Sequence, residues 1–467
     1  MTFLPARRID AAGRAHVDMH AVMSLALPLM ANAAVQIVLN LTDMWFISRI
    51  STTALAAVAA VHWPVLVVAM VLSGAGLAVQ PLVAQACGSR RRTRASRAAW
   101  TALWVTLGMA PFFVLVGSAG EPLLRPFGLE PEVSRLAAEF WAPRVGGASL
   151  GAAAYALFGF FNGIGNTRAT VLVSLCIAVA NAALNRLFVF ELGWGISGSA
   201  WATTCAQGIG LGIALAVFLA PRMRTRFASH LTWRPRLREC WRQVRLGFPM
   251  GLLPATDTVA FAMFQLMQVR LGAVDGAMTQ LVMGLASIAY LPGYGIALAG
   301  TTLVGQSIGA GDRDWAMTLG NRVIALAAAY MGGIGLALAL AGPWILPIFA
   351  APRDADSVAV LALGAQMLWL AAAYQFFDGL NLASGMALRG AGDAAIPAML
   401  TLALSWLMFV PLAHALTFAP GQGWFDFLPA LGRGSVGGWI ALVLYMMALG
   451  VALLLRWRSG AWRKVRL

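Results

Sequence analysis

Apolar residues gather along the chain into twelve runs, at approximately 21–47, 54–80, 98–119, 135–162, 169–192, 195–220, 246–271, 276–304, 317–342, 357–388, 394–418 and 435–456. A transmembrane helix needs ~20 consecutive, mostly apolar residues, so each run predicts one span. Alternating apolar and polar residues in ~10-residue segments, the mark of a membrane β-barrel, are absent. The expected class is therefore an all-α integral membrane protein of 12 transmembrane helices. Only 11% of residues are charged, against about 25% in soluble domains, which excludes an ordinary soluble fold. Basic residues Arg7, Arg8 and Arg14 precede the first run. That run is too long for a signal-peptide core, so it reads as an uncleaved first span.

An even number of spans puts both termini and every even-to-odd loop on one side. That side holds 25 of the 33 Lys and Arg. The positive-inside rule then places both termini in the cytoplasm, with the chain multi-pass in its membrane. The net charge of +15 concentrates in clusters at 90–97 and 222–245, which suit anionic lipid headgroups rather than nucleic acid. The four cysteines form no CxxC pair, and neither a disulfide nor a metal role is expected of them.

The runs repeat. LVAQACG (82–88) matches LVGQSIG (303–309) at an offset of 221 residues, which also sets Pro28 against Pro249. At offset 227, GIGNT (163–167) faces GAGDA (390–394). A period of six spans keeps the same topology in both halves, giving a parallel repeat related by an axis along the membrane normal. The expected organisation is two pseudo-symmetric six-helix lobes: 1–220 (spans 1–6), a basic cytoplasmic linker 221–245, and 246–467 (spans 7–12).

Three carboxylates fall inside spans: Asp43, Asp257 and Asp378. Asp378 lies 11 residues from Arg389, about 16 Å above the end of its span and near the midplane. An Asp at a helix centre costs roughly 2.5–3.5 kcal/mol, which is reduced if it faces water or is protonated. Each has polar company at helical spacing. Asn32, Gln36, Asn40 and Asp43 form a stripe in span 1, and Asn181 and Asn185 are four apart in span 5. Asp257 shares a face with Phe261, Phe264, Gln265 and Gln268, and Asp378 with Tyr374, Asn381 and Gly385. Two carboxylates beside aromatic rings suit an organic cation. Such carboxylates can also exchange a proton for substrate or Na⁺. Arg186 in span 5 is within expected reach of Asp43.

These residues resemble the multidrug and toxic compound extrusion (MATE) family, its NorM-type bacterial branch, over essentially the whole chain. The resemblance rests on the Pro28–Asp43 region, LVAQACG, GIGNTR, NAALNRLFVF (181–190) and GISGSAWATT (195–204). GFPMGLLPATD (247–257), LVGQSIGAGD (303–312) and YQFFDGLNLASGMALRGAGD (374–393) continue it. It implies lobes that open alternately, drug or organic-cation efflux driven by H⁺ or Na⁺, and no cofactor. It also implies a polar N-lobe site of Asp43, Asn181 and Asn185, with Thr203 or Thr204 as a looser candidate. Asp257, Tyr374 and Asp378 match the C-lobe cation site, with Na⁺ possible at the two aspartates. Relatives usually carry Glu where this chain has Asp257, which puts direct Na⁺ ligation there in question. A monomer is expected.

The alternative within the superfamily is a flippase of a lipid-linked oligosaccharide or similar amphiphile. It would favour a basic central cavity, whereas the midplane charges here are acidic. An enzyme is not expected: His62 and His414 lie in distant spans, Asp354 and Asp356 form a DxD in an outer loop, and no HExxH is present.

Overall fold

The computed structural model describes residues 4–11, 13–125, 130–349, 357–424 and 429–465. Asp354, Asp356 and Asp426 lie outside the described residues. A short antiparallel hairpin, β1 (Arg7–Ile9) and β2 (Ala15–Val17), precedes the first span. Every other regular element described is helical.

In the first half, α1 is Met19–Ser48 and α2 is Thr52–Leu77 continued by Val79–Gly88. Then come α3 (Arg92–Ser118), α4, α5 (Thr167–Glu191) and α6 (Gly195–Phe218). The α4 span is the pair Pro131–Gly146 and Ala148–Gly163, bent by 41°. In the second half, α7 is Leu237–Leu271, α8 Ala273–Gly309, α9 Arg313–Leu340 and α10 Ser357–Ala391. The last two are α11 (Ala395–Thr417) and α12 (Gly434–Arg458). Among the described residues ten helices are apolar and long enough to cross a membrane, eleven with the α4 pair. The remaining 35-residue α10 is made more polar by Gln366, Gln375, Asp378 and Asn381. The α7 helix begins well before residue 246, because the segment carrying Arg238, Arg242 and Arg245 continues the same helix out of the apolar layer.

The halves meet on the face that carries both termini, called here the basic face. Small residues permit it: a Cβ on Gly74 of α2 would fall on the Gly247 carbonyl of α7. Likewise a Cβ on Gly88 would fall on the Gln306 carbonyl, and one on Gly309 on the Gln85 carbonyl. The repeated motif residues exchange hydrogen bonds across this seam. Gln85 Nε2 of α2 donates to the Gly390 carbonyl at the end of α10 (3.0 Å), and Gln306 Nε2 of α8 to the Gly163 carbonyl at the end of α4 (2.9 Å). The loops beyond both acceptors turn through corresponding glycines, Gly165 (φ 82°) and Gly392 (φ 91°), a conformation that favours glycine.

The segment entering each half docks on the other half. Ahead of α1, the Pro5 carbonyl accepts from Trp315 Nε1 of α9 (2.9 Å), and Arg7 lies over the Trp315 ring. Ahead of α7, the Phe227, Ser229 and Trp233 carbonyls accept from Ser96, Trp100 and Trp104 of α3. The α3 and α9 helices start at Arg92 and Arg313, one repeat apart. The basic face is thus closed by a twofold exchange of contacts.

Candidate functional site

The first half builds a compact polar node. Asn185 Nδ2 donates to Asp43 Oδ1 (2.9 Å) and Thr203 Oγ1 to Asp43 Oδ2 (3.2 Å). Asn181 Nδ2 in turn donates to Thr203 Oγ1 (3.2 Å), and Asn185 also reaches the Asn181 carbonyl (3.0 Å). Helical spacing of four brings Asn181 and Asn185 to one face of α5, opposite α1 and α6. Thr204 turns away and donates to the Pro143 carbonyl of α4 (2.9 Å). Along α1, Asn32 and Gln36 are half-buried and Asn40 is exposed, and the Asn32 Oδ1 atom is buried without a hydrogen-bond partner.

Arg186 does not reach Asp43. It pairs with Glu191 (3.4 Å), both side chains largely exposed. Consecutive helix residues point about 100° apart, so Arg186 already lies off the face that carries Asn185, and the π-helical turn Arg186–Glu191 that ends α5 brings Glu191 within its reach. The cationic group acting electrostatically on Asp43 is Arg144, next to the bend of α4.

In the second half two aspartates have different surroundings. Asp378 is 3% exposed. Its Oδ1 accepts from Asn381 Nδ2 (3.2 Å), while Oδ2 is buried without a hydrogen-bond partner of standard geometry. Tyr374 stands one helical turn before it. Asp257 is half-buried, and its Oδ1 accepts from Tyr445 Oη of α12 (2.6 Å). Phe261 and Phe264 pack against Phe409, at 5.9 and 5.8 Å between centroids, and so back the site from within the half. Gln265 donates to Gln280 of α8, and Gln268 accepts from Ser435 of α12. Both stand apart from Asp257.

Tyrosines of the two halves come near one another. Tyr155 of α4 is 45% exposed. Tyr290 and Tyr294, one turn apart on α8, connect the two sides. Tyr290 is within electrostatic reach of Asp378 and Asp257, and Tyr294 of Tyr155 and Arg389.

The twofold architecture is matched by known proteins. The MatE family model matches this chain twice, over residues 28–187 and 249–414, and the two matches begin 221 residues apart. The chain belongs to the MatE family. This MatE chain is 28% identical over 453 residues to a probable multidrug resistance protein NorM of Rhizobium meliloti, covering 94% of this chain and 92% of that one. It is 29% identical to the multidrug resistance protein NorM of Burkholderia vietnamiensis, covering 96% and 95%. Its fold superposes on an outward-facing multidrug resistance MATE family transporter of the MOP superfamily with a TM-score of 0.82 at 20% identity, covering 95% and 96%. A MOP superfamily transporter from Pyrococcus furiosus, described as having a binding pocket of reverse polarity, gives 0.83 at 20% identity with the same coverage.

Tyr155, Tyr290, Tyr294, Tyr445 and Arg144 escaped the reading of the MatE chain's sequence. A signal was available: the chain has only six tyrosines, and five of them, Tyr374 included, stand within electrostatic reach of Asp257, Asp378 or one another.

Proposed function

We propose that this MatE protein is a secondary antiporter that exports organic cations and drugs in exchange for H⁺ or Na⁺ by alternating access. Its setting is the bacterial inner membrane, with the basic face and both termini cytoplasmic. The observation that carries the reading is Asp378, 3% exposed, with neutral Asn381 and Tyr374 beside it and no cationic side chain paired with it among the described residues. A buried carboxylate charge without a cationic partner costs several kcal/mol, so the group must hold either a proton or a cation. Exchanging that occupant for another is the minimal act of a coupled carrier.

The first half supplies the complementary property. Asp43 accepts from two donors on α5 and α6 and is half-buried, which keeps its charge tolerable and leaves it within reach of an organic cation. Closure on the basic side makes the present state open toward the opposite side, and alternating access requires the exchanged contacts to break in turn.

The test is drug export from proteoliposomes under separately imposed Na⁺ and H⁺ gradients, for the parent and for Asp378→Asn and Asp257→Asn. One gradient is expected to drive export in the parent, and each variant to lose at least tenfold. Parental rates in both variants would refute the assignment of these carboxylates. Export indifferent to both gradients would refute antiport.

A further inference from the structure

The residue that fixes Asp257 comes from α12, 188 positions away in the chain. Tyr445 is fully buried, so its hydroxyl needs a partner, and it finds one in Asp257 Oδ1 at 2.6 Å. The ring has no freedom to swing. It stacks on Phe409 with centroids 4.8 Å apart and planes 14° apart. Phe409 ends the π turn Ser405–Phe409 of α11 and is backed by Phe264 and Phe261. Ser405, at the start of that turn, lies beside the Tyr445 hydroxyl. The clamp is rigid and the aspartate is the part that adapts to it.

The next residue of α12 serves the other carboxylate. Met446 Sδ accepts a long contact from Asn381 Nδ2 (3.8 Å), the group that donates to Asp378 Oδ1. Two consecutive residues of α12 thereby stand behind both intramembrane aspartates of this half. An Asp has one methylene less than Glu and therefore less reach and fewer rotamers, so a single fixed donor suffices to determine where its charge stands.

We infer that Tyr445 is a positioning residue for the coupling cation, holding Asp257 by Oδ1 and so setting where its charge stands relative to Asp378. The inference rests on the reading of the two aspartates as the coupling pair. It adds a residue that touches neither substrate nor cation and acts through Asp257. Tyr445→Phe keeps the ring stack and removes only the donor. A hydrogen bond to a charged group contributes about 1.5–3 kcal/mol, so if Na⁺ drives export its half-maximal concentration should rise about tenfold or more. If H⁺ drives export the half-maximal concentration should fall by a similar factor, because the lost donor favoured the charged carboxylate over the protonated one. The maximal rate at saturating cation should stay within about twofold.

The experiment titrates Na⁺ at fixed pH and H⁺ at fixed Na⁺ in proteoliposomes exporting ethidium, using the full-length parent, Tyr445→Phe, Asp257→Asn and the double variant. The expected result is a half-saturation in Tyr445→Phe that is raised for Na⁺ or lowered for H⁺, and a shift that vanishes on the Asp257→Asn background. An unchanged half-saturation in Tyr445→Phe, with or without a lowered maximal rate, overturns the positioning role while a defect in Asp257→Asn leaves the coupling reading standing. Parental behaviour of Asp257→Asn overturns that reading and this inference together. If Tyr445→Phe fails to fold, Phe409→Leu loosens the same clamp and should move half-saturation in the same direction. An unchanged value there overturns the role equally.

Discussion

Replacing Gln85 and Gln306 by Leu removes both motif hydrogen bonds across the basic-face seam and little else. Leu has similar volume, the glycine contacts beside it persist, and the orphaned groups are the Gly390 and Gly163 carbonyls at the ends of α10 and α4. Each bond is neutral and partly exposed, so about 1 kcal/mol is a reasonable net value. The pair together then biases the closed basic face by about 2 kcal/mol, or about 30-fold in the ratio of closed to open. Because the two bonds occupy corresponding places one repeat apart, the single variants should shift that ratio equally, each by about fivefold. Their effects should add, since each joins a different pair of helices.

The assay is the distance between spin labels at Thr93→Cys and Arg313→Cys, exposed positions at the starts of α3 and α9, in a background without the four native cysteines. Measured across a series of drug concentrations, the long-distance component should gain at least tenfold in the double variant relative to the short one. A distribution indistinguishable from the parent at every concentration would refute the latch. So would a large effect of one glutamine with none of the other, because reciprocity is what the geometry demands.

Gly251→Ala puts a methyl 2.5 Å from the Met70 carbonyl and 2.6 Å from that of Val71. Backbone cannot yield, so α2 and α7 must separate, and export should fall at least tenfold while Gly212→Ala, which meets nothing within 4 Å, is silent in the same ethidium assay. Thr203→Val deprives Asp43 Oδ2 of its donor and should weaken drug binding at least threefold by fluorescence titration. Thr204→Val loses only the bond to Pro143 and should lower thermal stability with drug affinity unchanged. Arg186→Ala removes an exposed ion pair worth well under 1 kcal/mol, and export within twofold of the parent is expected. A severe export defect there would reinstate a role for Arg186 at Asp43.

The spans were legible because a bilayer imposes a simple length and composition rule, and the twelve runs overlie the twelve helical spans to within a few residues at most ends. The polar node was legible in two steps: spacings of three and four put Asp43 on a polar stripe of α1 and Asn181 and Asn185 on one face of α5, and only the family resemblance set the two against each other. Arg186 failed because the residue after Asn185 points about 100° away from it, and Glu191, brought near by the π turn, pairs with it instead. Tyr445 and Arg144 failed for a different reason. Their parts depend on which distant spans lie near one another, α12 beside α7 and Arg144 of α4 near Asp43 of α1, and local pattern does not encode that.

The two halves share their closing parts and differ in their chemistry. At the offset of 221 residues Gln85 falls on Gln306, Gly88 on Gly309 and Arg92 on Arg313, and the glutamine and glycine pairs make the same contacts in exchanged roles. At the same offset Asp43 falls on Phe264, a packed core ring, and Asp257 falls on Gln36, so the carboxylates do not follow the repeat. They also differ in how they are satisfied: Asp43 is held by two donors and half-buried, whereas Asp378 is 3% exposed beside Asn381 and Tyr374. On the proposed reading of Asp378 as a coupling carboxylate, the second half would set when the protein switches, and the first half, with its satisfied carboxylate, would wait for cargo.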